Sequence, residues 1–231
     1  MMKILFIGNS HTYMNDMPEL TREMIENVTG EDCHVFMLAY SGKALKWHME
    51  EYFSERFNLL HGNYDYCVIQ EQAHPLPPEE DTIKYAGKLV ELCKKTNTVP
   101  IFFETWAEKN KPENQQEMNR RYHKLAADNG AMLAPIGEVW EATAASLKDL
   151  PDMDLYFRDG EHASYIGDYL IAMVLTKVIT GKLPDREFLK AFDFTIPERF
   201  QPVKENIKDE IISVPADVQD VIRRHIDRQI I

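Results

Sequence analysis

The sequence predicts a doubly wound, three-layer α/β/α sandwich around a central five-stranded parallel sheet. Three observations carry that reading. Short apolar runs occur at 3–7, 34–39, 66–69, 99–103 and 131–135, each of a length suited to a strand buried on both faces. Longer segments with helical periodicity lie between them, and strand-helix alternation of this kind builds parallel sheets covered on both sides. A chain of 231 residues with 44% hydrophobic content fills one sizeable core and leaves little for a second.

Taken in order, the first strand, 3–7, runs into Gly8-Asn9-Ser10. A helix over 18–28 follows, with Asp16 and Pro18 as its starting signals. After the second strand come Gly42 and a helix over 44–57. The third strand leads into His74-Pro75-Leu76-Pro77-Pro78, which can continue neither helix nor sheet and reads as a loop at the strand end. Helices are expected over 80–94, 113–129, stopped by Asn129-Gly130, 136–147 and 164–180. Beyond Gly181 the pattern becomes charged and punctuated by proline, so the domain is set at 1–183. The remaining extension, 184–231, ends in an amphipathic run whose Val218, Val221, Ile222, His225 and Ile226 share one face. It is expected to pack on the domain or on a partner subunit, where it would support a homo-oligomer.

Composition excludes several classes. A net charge of −12 without any long basic run argues against nucleic acid as a partner. Cys33, Cys67 and Cys93 are widely spaced and read as reduced, structural thiols. The first apolar run is too short for a signal-peptide core, and no stretch is long enough to span a membrane, which leads to the expectation of a cytoplasmic protein. His34, His48, His61, His123 and His225 lack the spacing of metal ligands, and no Gly-rich phosphate loop is present. Neither a metal nor a cofactor is expected.

Two segments carry chemistry. A tight turn after the first strand would lift the Ser10 hydroxyl to the carboxyl end of the sheet, although Gly-Asn-Ser there also serves as an ordinary turn. Asp159-Gly160-Glu161-His162-Ala163-Ser164 precedes the last long helix of the domain. At this spacing the Asp159 carboxylate can accept from His162 Nδ1–H, which leaves Nε2 free to take a proton from a serine. The plain alternative is a solvated acidic loop whose Ser164 caps the helix. His11, next to the serine, is the weaker candidate for the base, since adjacent side chains in a turn usually diverge and nothing near it supplies an orienting carboxylate as neatly as Asp159.

A strand-end serine near one terminus and a late Asp-x-x-His before a long helix form a recognisable order, and here the sequence resembles the SGNH (GDSL-like) hydrolase family. The matching residues are Gly8-Asn9-Ser10, Gly42 and Asp159-Gly160-Glu161-His162-Ala163-Ser164. The resemblance spans roughly 3–181 and implies a flavodoxin-like sheet with a Ser10, His162, Asp159 triad. Two positions depart from it. Asn9 stands where an Asp is usual, and Ile69-Gln70-Glu71-Gln72-Ala73-His74 replaces the family's Gly-x-Asn, whose Asn donates to the oxyanion. The oxyanion hole is therefore expected from the N–H groups of Ser10 and Gly42 and the carboxamide of Gln72, with Gln70 and His74 as alternatives. Asn9, His11, Trp106 and Glu104 are expected to line the substrate pocket.

The activity implied is hydrolysis of a small acyl ester, an O-acetyl ester on a carbohydrate first of all. The rivals are a lysophospholipase or thioesterase acting on longer chains, and a catalytically silent binding protein that keeps the fold.

Overall fold

The computed structural model of the protein describes residues 1–185, 192–194, 210–212 and 214–230. The sheet consists of β1 (Met2–Gly8), β2 (Cys33–Ala39), β3 (Tyr66–Ile69), β4 (Val99–Phe103) and β5 (Met132–Ala134), all parallel, in the order β2-β1-β3-β4-β5. The helices are α1 (Ser10–Tyr13), α2 (Met17–Thr29), α3 (Leu45–Glu50), α4 (Ser54–His61), α5 (Glu79–Lys95), α6 (Gln115–Asn129), α7 (Ile136–Leu147), α8 (Tyr165–Thr180) and α9 (Ala216–Gln229). The expected α/β/α sandwich is thus the observed one, with the strand order of the flavodoxin-like class.

Period-two alternation along β1 divides the core. Ile4 and Phe6 pack with α2, α7, α8 and α9, whereas Leu5 and Ile7 pack with α3, α4, α5 and α6. Helix α8 is apolar nearly all round, and every residue from Ile166 to Thr176 is buried. It contacts α2 and α7, and α9 closes over the same face with Val218, Ile222 and Ile226 buried. Truncating Leu170 or Ile171, both without solvent exposure, to alanine would cost about 2–5 kcal/mol.

Local expectations differ from the structure at three places. The segment 44–57 is two helices rather than one: Glu51 ends α3 and Phe53 precedes α4. Asp16 makes no side-chain cap for α2; it sits at φ 54° in the left-handed region, as does Asn15 before it at φ 49°. The turn after β1 opens a one-turn helix, α1, before the chain reaches α2. Two short strands, β6 (Phe192–Phe194) and β7 (Glu210–Ile212), pair antiparallel away from the main sheet. Much of the expected extension, including 195–209, lies outside the described residues. All three cysteines are free and buried, and among the described residues no helix is long and apolar enough to cross a membrane.

The chain reverses its direction of travel across the sheet between β1 and β3. In open parallel sheets the crevice beyond the carboxyl ends at such a switch point is where ligands bind. Ser10 follows β1 there, and Gln70 to His74 follow β3.

Candidate active site

The turn after β1 is held from below. Asn9 N–H and Thr12 Oγ–H both donate to Gln70 Oε1, at 2.8 and 3.0 Å. The Gln70 amide nitrogen donates to the Glu71 carbonyl. Gly8 is required at this point, because a Cβ there would come within 2.4 Å of both Gln70 Oε1 and Thr12 Oγ1. Asn9 Oδ1 accepts from His11 N–H, and its amide donates to the Lys43 carbonyl at 3.1 Å, which ties the turn to the loop containing Gly42. A buried histidine adds a further tether: His48 Nε2 lies 2.9 Å from the Gly8 carbonyl oxygen, while its Nδ1 meets the buried Glu55 carboxylate.

The partner loop is a compact hairpin. Tyr156 and Ala163 bridge antiparallel, and Phe157 N–H donates to the His162 carbonyl. Gly160 adopts φ 74°, the left-handed conformation that lets the loop reverse. Asp159 Oδ1 accepts from the N–H groups of Glu161 and His162, fixing the carboxylate beside its own loop. Ser164 caps α8 by accepting from Gly167 N–H. Trp106 Nε1 donates to the Glu161 carbonyl and Lys109 N–H to that of Gly160, so the connection after β4 anchors the hairpin.

These two assemblies, 152 residues apart in sequence, bring His162 Nε2 within 2.8 Å of Ser10 Oγ. On the other side of the ring, His162 Nδ1 lies 2.8 Å from Asp159 Oδ2. Ser10 and His162 are buried, and Asp159 is partly open to solvent. Burial alone would raise the Asp159 pKa, but the N–H groups of Glu161 and His162 and the His162 imidazole together draw it below the usual carboxylate value. An ionised carboxylate, an imidazole and a hydroxyl therefore stand in line.

The surroundings of this line include two further histidines. His11 packs its ring 4.7 Å from that of His162, 5.1 Å from His74 and 5.2 Å from Trp106. Burial, followed by the neighbouring His162 and His74, holds His11 well below its ordinary pKa. Burial also brings His74 down to about 4, against the opposing pull of Glu108. Both rings are neutral at pH 7, and the Nε2 atoms of both are buried without a protein partner. Gly42 stands in a turn at φ 67° with open space at its Cβ position. Among the described residues, neither its N–H nor that of Ser10 has a protein acceptor.

The other expected site residues are distributed differently. Glu104 and Trp106 are fully buried, so neither lines a pocket as expected. Glu104 turns toward the start of α7, where it accepts from Glu138 N–H, and burial together with Glu138 raises its carboxyl to about 8. Its carboxylate, His123 and Glu138 gather donor atoms within 4.8 Å of one another, from three separate elements. Trp106 stacks on Trp140 at 4.1 Å instead of facing solvent. The Asn9 side chain holds backbone, accepting from His11 N–H and donating to the Lys43 carbonyl. Gln70 holds the turn after β1: its oxygen accepts from Asn9 and Thr12, and one hydrogen of its amide goes to the Glu71 carbonyl. Gln72 is partly buried, and among the described residues its carboxamide has no protein partner. The supports missed by sequence reasoning are His48, Glu55, Glu71, Asn15 and Asp168. Glu71 Oε1 accepts from the N–H groups of Leu45 and Gln72, joining the start of α3 to the segment after β3. A run such as Gln-Glu-Gln at a buried strand end was the one signal available, since each of its polar groups needs a partner there.

Two cavities lie nearby. One of about 420 Å³ has a mixed lining, with His74, Glu108, Lys111, Arg121 and Glu161 beside Leu76 and Met118. The other, about 540 Å³, is lined chiefly by apolar groups including Trp140, Leu147, Met153 and Leu155, and no member of the Ser10-His162-Asp159 line borders it.

No family model matches the chain, and no curated protein matches it in sequence. Solved structures do. An acetyl xylan esterase from Geobacillus stearothermophilus superposes with a TM-score of 0.61 at 16% identity, covering 79% of this chain and 96% of its own. A lipase/acylhydrolase from Enterococcus faecalis gives 0.58 at 18% identity, over 80% and 99% of the two chains. TesA gives 0.60 at 14% identity, over 78% and 98%. The chain has the fold of the SGNH hydrolases.

Proposed function

We propose that the protein is a serine esterase that hydrolyses small acyl esters through a covalent acyl-enzyme. One observation carries the reading: a hydroxyl, an imidazole and a carboxylate lie in hydrogen-bond contact, both contacts being 2.8 Å, at the switch point of the sheet. Each role follows from the chemistry of the group. His162 Nε2 accepts the proton of Ser10 Oγ as that oxygen attacks the ester carbonyl. Asp159 keeps the imidazole proton on Nδ1 and stabilises the imidazolium that forms. The same proton passes from Nε2 to the departing alcohol, and water, activated by His162, then releases the acid from Ser10.

Negative charge on the carbonyl oxygen needs donors already in place. The N–H groups of Ser10 and Gly42 supply two. The third is assigned to His74 rather than to Gln72: its buried Nε2 has no protein partner, and its ring sits against His11 beside His162. A neutral His74 carrying its proton on Nε2 donates without bringing a charge.

The substrate assigned is an O-acetyl ester of a carbohydrate. The cavity that reaches His74 and Glu161 mixes polar and apolar lining in about equal measure, and its Glu108, Lys111, Glu117 and Arg121 side chains suit a hydroxylated alcohol portion. Neither cavity is bordered by a residue of the triad, but the 420 Å³ one reaches Glu161, the chain neighbour of His162, and the apolar one does not. Acetyl xylan esterases share the fold, consistent with this choice. Incubation with a serine-reactive phosphonate, followed by peptide mass spectrometry, tests the nucleophile. Ser10 is expected to carry the adduct, and Ser10→Ala is expected to lose roughly 10³-fold or more of the turnover of p-nitrophenyl acetate. An adduct elsewhere, or turnover unchanged in Ser10→Ala, would refute the assignment.

A further inference from the structure

A second buried polar pair lies behind the triad, and its hydrogen bonds balance only in one protonation state. Asn15, in the left-handed conformation that Asn tolerates better than most residues, directs its amide inward from the segment between α1 and α2. Its Nδ2 donates to the Ala163 carbonyl at 3.1 Å and also to Asp168 Oδ2, in the first turn of α8. Asn15 and Asp168 are 2% and 1% exposed. The remaining oxygens, Asn15 Oδ1 and Asp168 Oδ1, are both buried without a partner.

An ionised carboxylate offers only acceptors, so it would leave both oxygens facing no donor at all. A protonated one has the missing hydrogen: Oδ1–H of the acid donates to the amide oxygen while the amide nitrogen donates to Oδ2. The pairing is reciprocal, and the second amide hydrogen remains for Ala163. The electrostatics agree, since burial raises the Asp168 carboxyl well above the usual range and the Asn15 amide is the one group opposing it. Among the described residues, neither α2, α8 nor the adjoining loops set a cation against this carboxyl.

Ala163 follows His162 directly, and Asn15 lies five residues beyond Ser10. We propose that Asp168 is an un-ionised acid paired reciprocally with Asn15, and that this pair is a positioning device holding the His162 loop opposite the nucleophile turn. The positioning half rests on the esterase reading for its importance to turnover, but not for its geometry. Misplacing a reacting group by about 1 Å can cost on the order of 100-fold in rate, so a clamp at this junction has leverage.

The test compares Asp168→Asn, Asp168→Ala and Asn15→Ala in the full chain. An amide at position 168 offers the same donor and acceptor as the protonated acid. Asp168→Asn is therefore expected to keep the thermal midpoint and the ¹⁵N resonances of the His162 imidazole. Asp168→Ala and Asn15→Ala should shift those resonances and lower kcat by about 10-fold or more with KM little changed. The infrared difference spectrum of wild type minus Asp168→Asn at pH 7 should contain the carbonyl stretch of an un-ionised carboxyl group. Absence of that band, or an Asp168→Asn protein as damaged as Asp168→Ala, would overturn the pairing, and both can be read even where the alanine variants fail to fold. Imidazole resonances unchanged in folded Asn15→Ala would overturn the positioning role. Absence of any ester turnover by wild type would sink the esterase reading while leaving these spectroscopic comparisons intact.

Discussion

Gln70→Met isolates what the third strand end does for the nucleophile. The change keeps the side-chain volume nearly constant and removes the amide, so Asn9 N–H and Thr12 Oγ–H lose their shared acceptor. Asn9 is 2% exposed, so its N–H has no access to solvent as a replacement, and an orphaned buried donor costs about 1–3 kcal/mol. The Thr12 hydroxyl can rotate and recover part of its loss. A total of about 2–4 kcal/mol follows, which in a chain of this size lowers the melting temperature by roughly 4–16 °C. Ser10 follows Asn9 in the chain, so slackening the turn also displaces Oγ from His162 Nε2. A shift of about 1 Å would lower kcat on the order of 100-fold. Calorimetry and p-nitrophenyl acetate kinetics on the same preparation check both effects. An unchanged melting temperature would refute the acceptor role. Unchanged stability with kcat down by roughly 10²–10³ would mean that the Gln70 amide serves the oxyanion after all.

Three further outcomes are expected. Asp159→Asn should lower kcat by up to about 10⁴-fold, because an amide facing Nδ1 can favour the wrong imidazole tautomer; steady-state kinetics decide it, and a loss below about 10-fold would remove Asp159 from the triad. Glu104 carries a carboxyl raised to about 8, so the folded state holds a proton that the unfolded chain releases. Its contribution is fully present at low pH and is lost as pH rises from the ordinary carboxylate value toward about 8, by at most about 1.4 kcal/mol per pH unit. Glu104→Gln should flatten that decline in denaturant titrations across this window, and an unaltered slope would contradict the shift. His74 runs the other way: with its folded pKa lowered to about 4, stability is lost as pH falls from the ordinary histidine value toward 4. His74→Phe should move acid unfolding, followed by circular dichroism, to lower pH, and superimposable curves would count against a buried neutral imidazole.

The sheet was legible in the sequence because a parallel strand buried on both faces must be apolar throughout, and such runs are few. The strand at 99–103 and the helix at 136–147 coincide with the predicted bounds. The strand-end turn at Ser10 and the contact between Asp159 and His162 were also legible, since each is local: one depends on Gly8-Asn9 after a strand, the other on a three-residue spacing closed by a single glycine. The joining of 44–57 into one helix erred because amphipathic spacing runs on through a break that the backbone makes at Glu51 and Phe53.

What the sequence by itself determined, then, were the elements, their alternation and the short-range halves of the site. Only the tertiary structure decided which polar groups face the cleft and which hold it up. Gln70 and Gln72 are equivalent donors in a sequence, yet the first lies under Gly8, close enough to exclude a Cβ, and among the described residues the carboxamide of the second has no protein partner. Glu104 and Trp106 follow β4 at the carboxyl edge of the sheet and still turn inward, one to the start of α7 and the other against Trp140. Asn15 and Asp168 meet across 153 residues. The physical reason is that a buried hydrogen-bonding group is satisfied by whatever the fold brings within about 3 Å, and that distance is set by packing between elements, which sequence spacing does not encode.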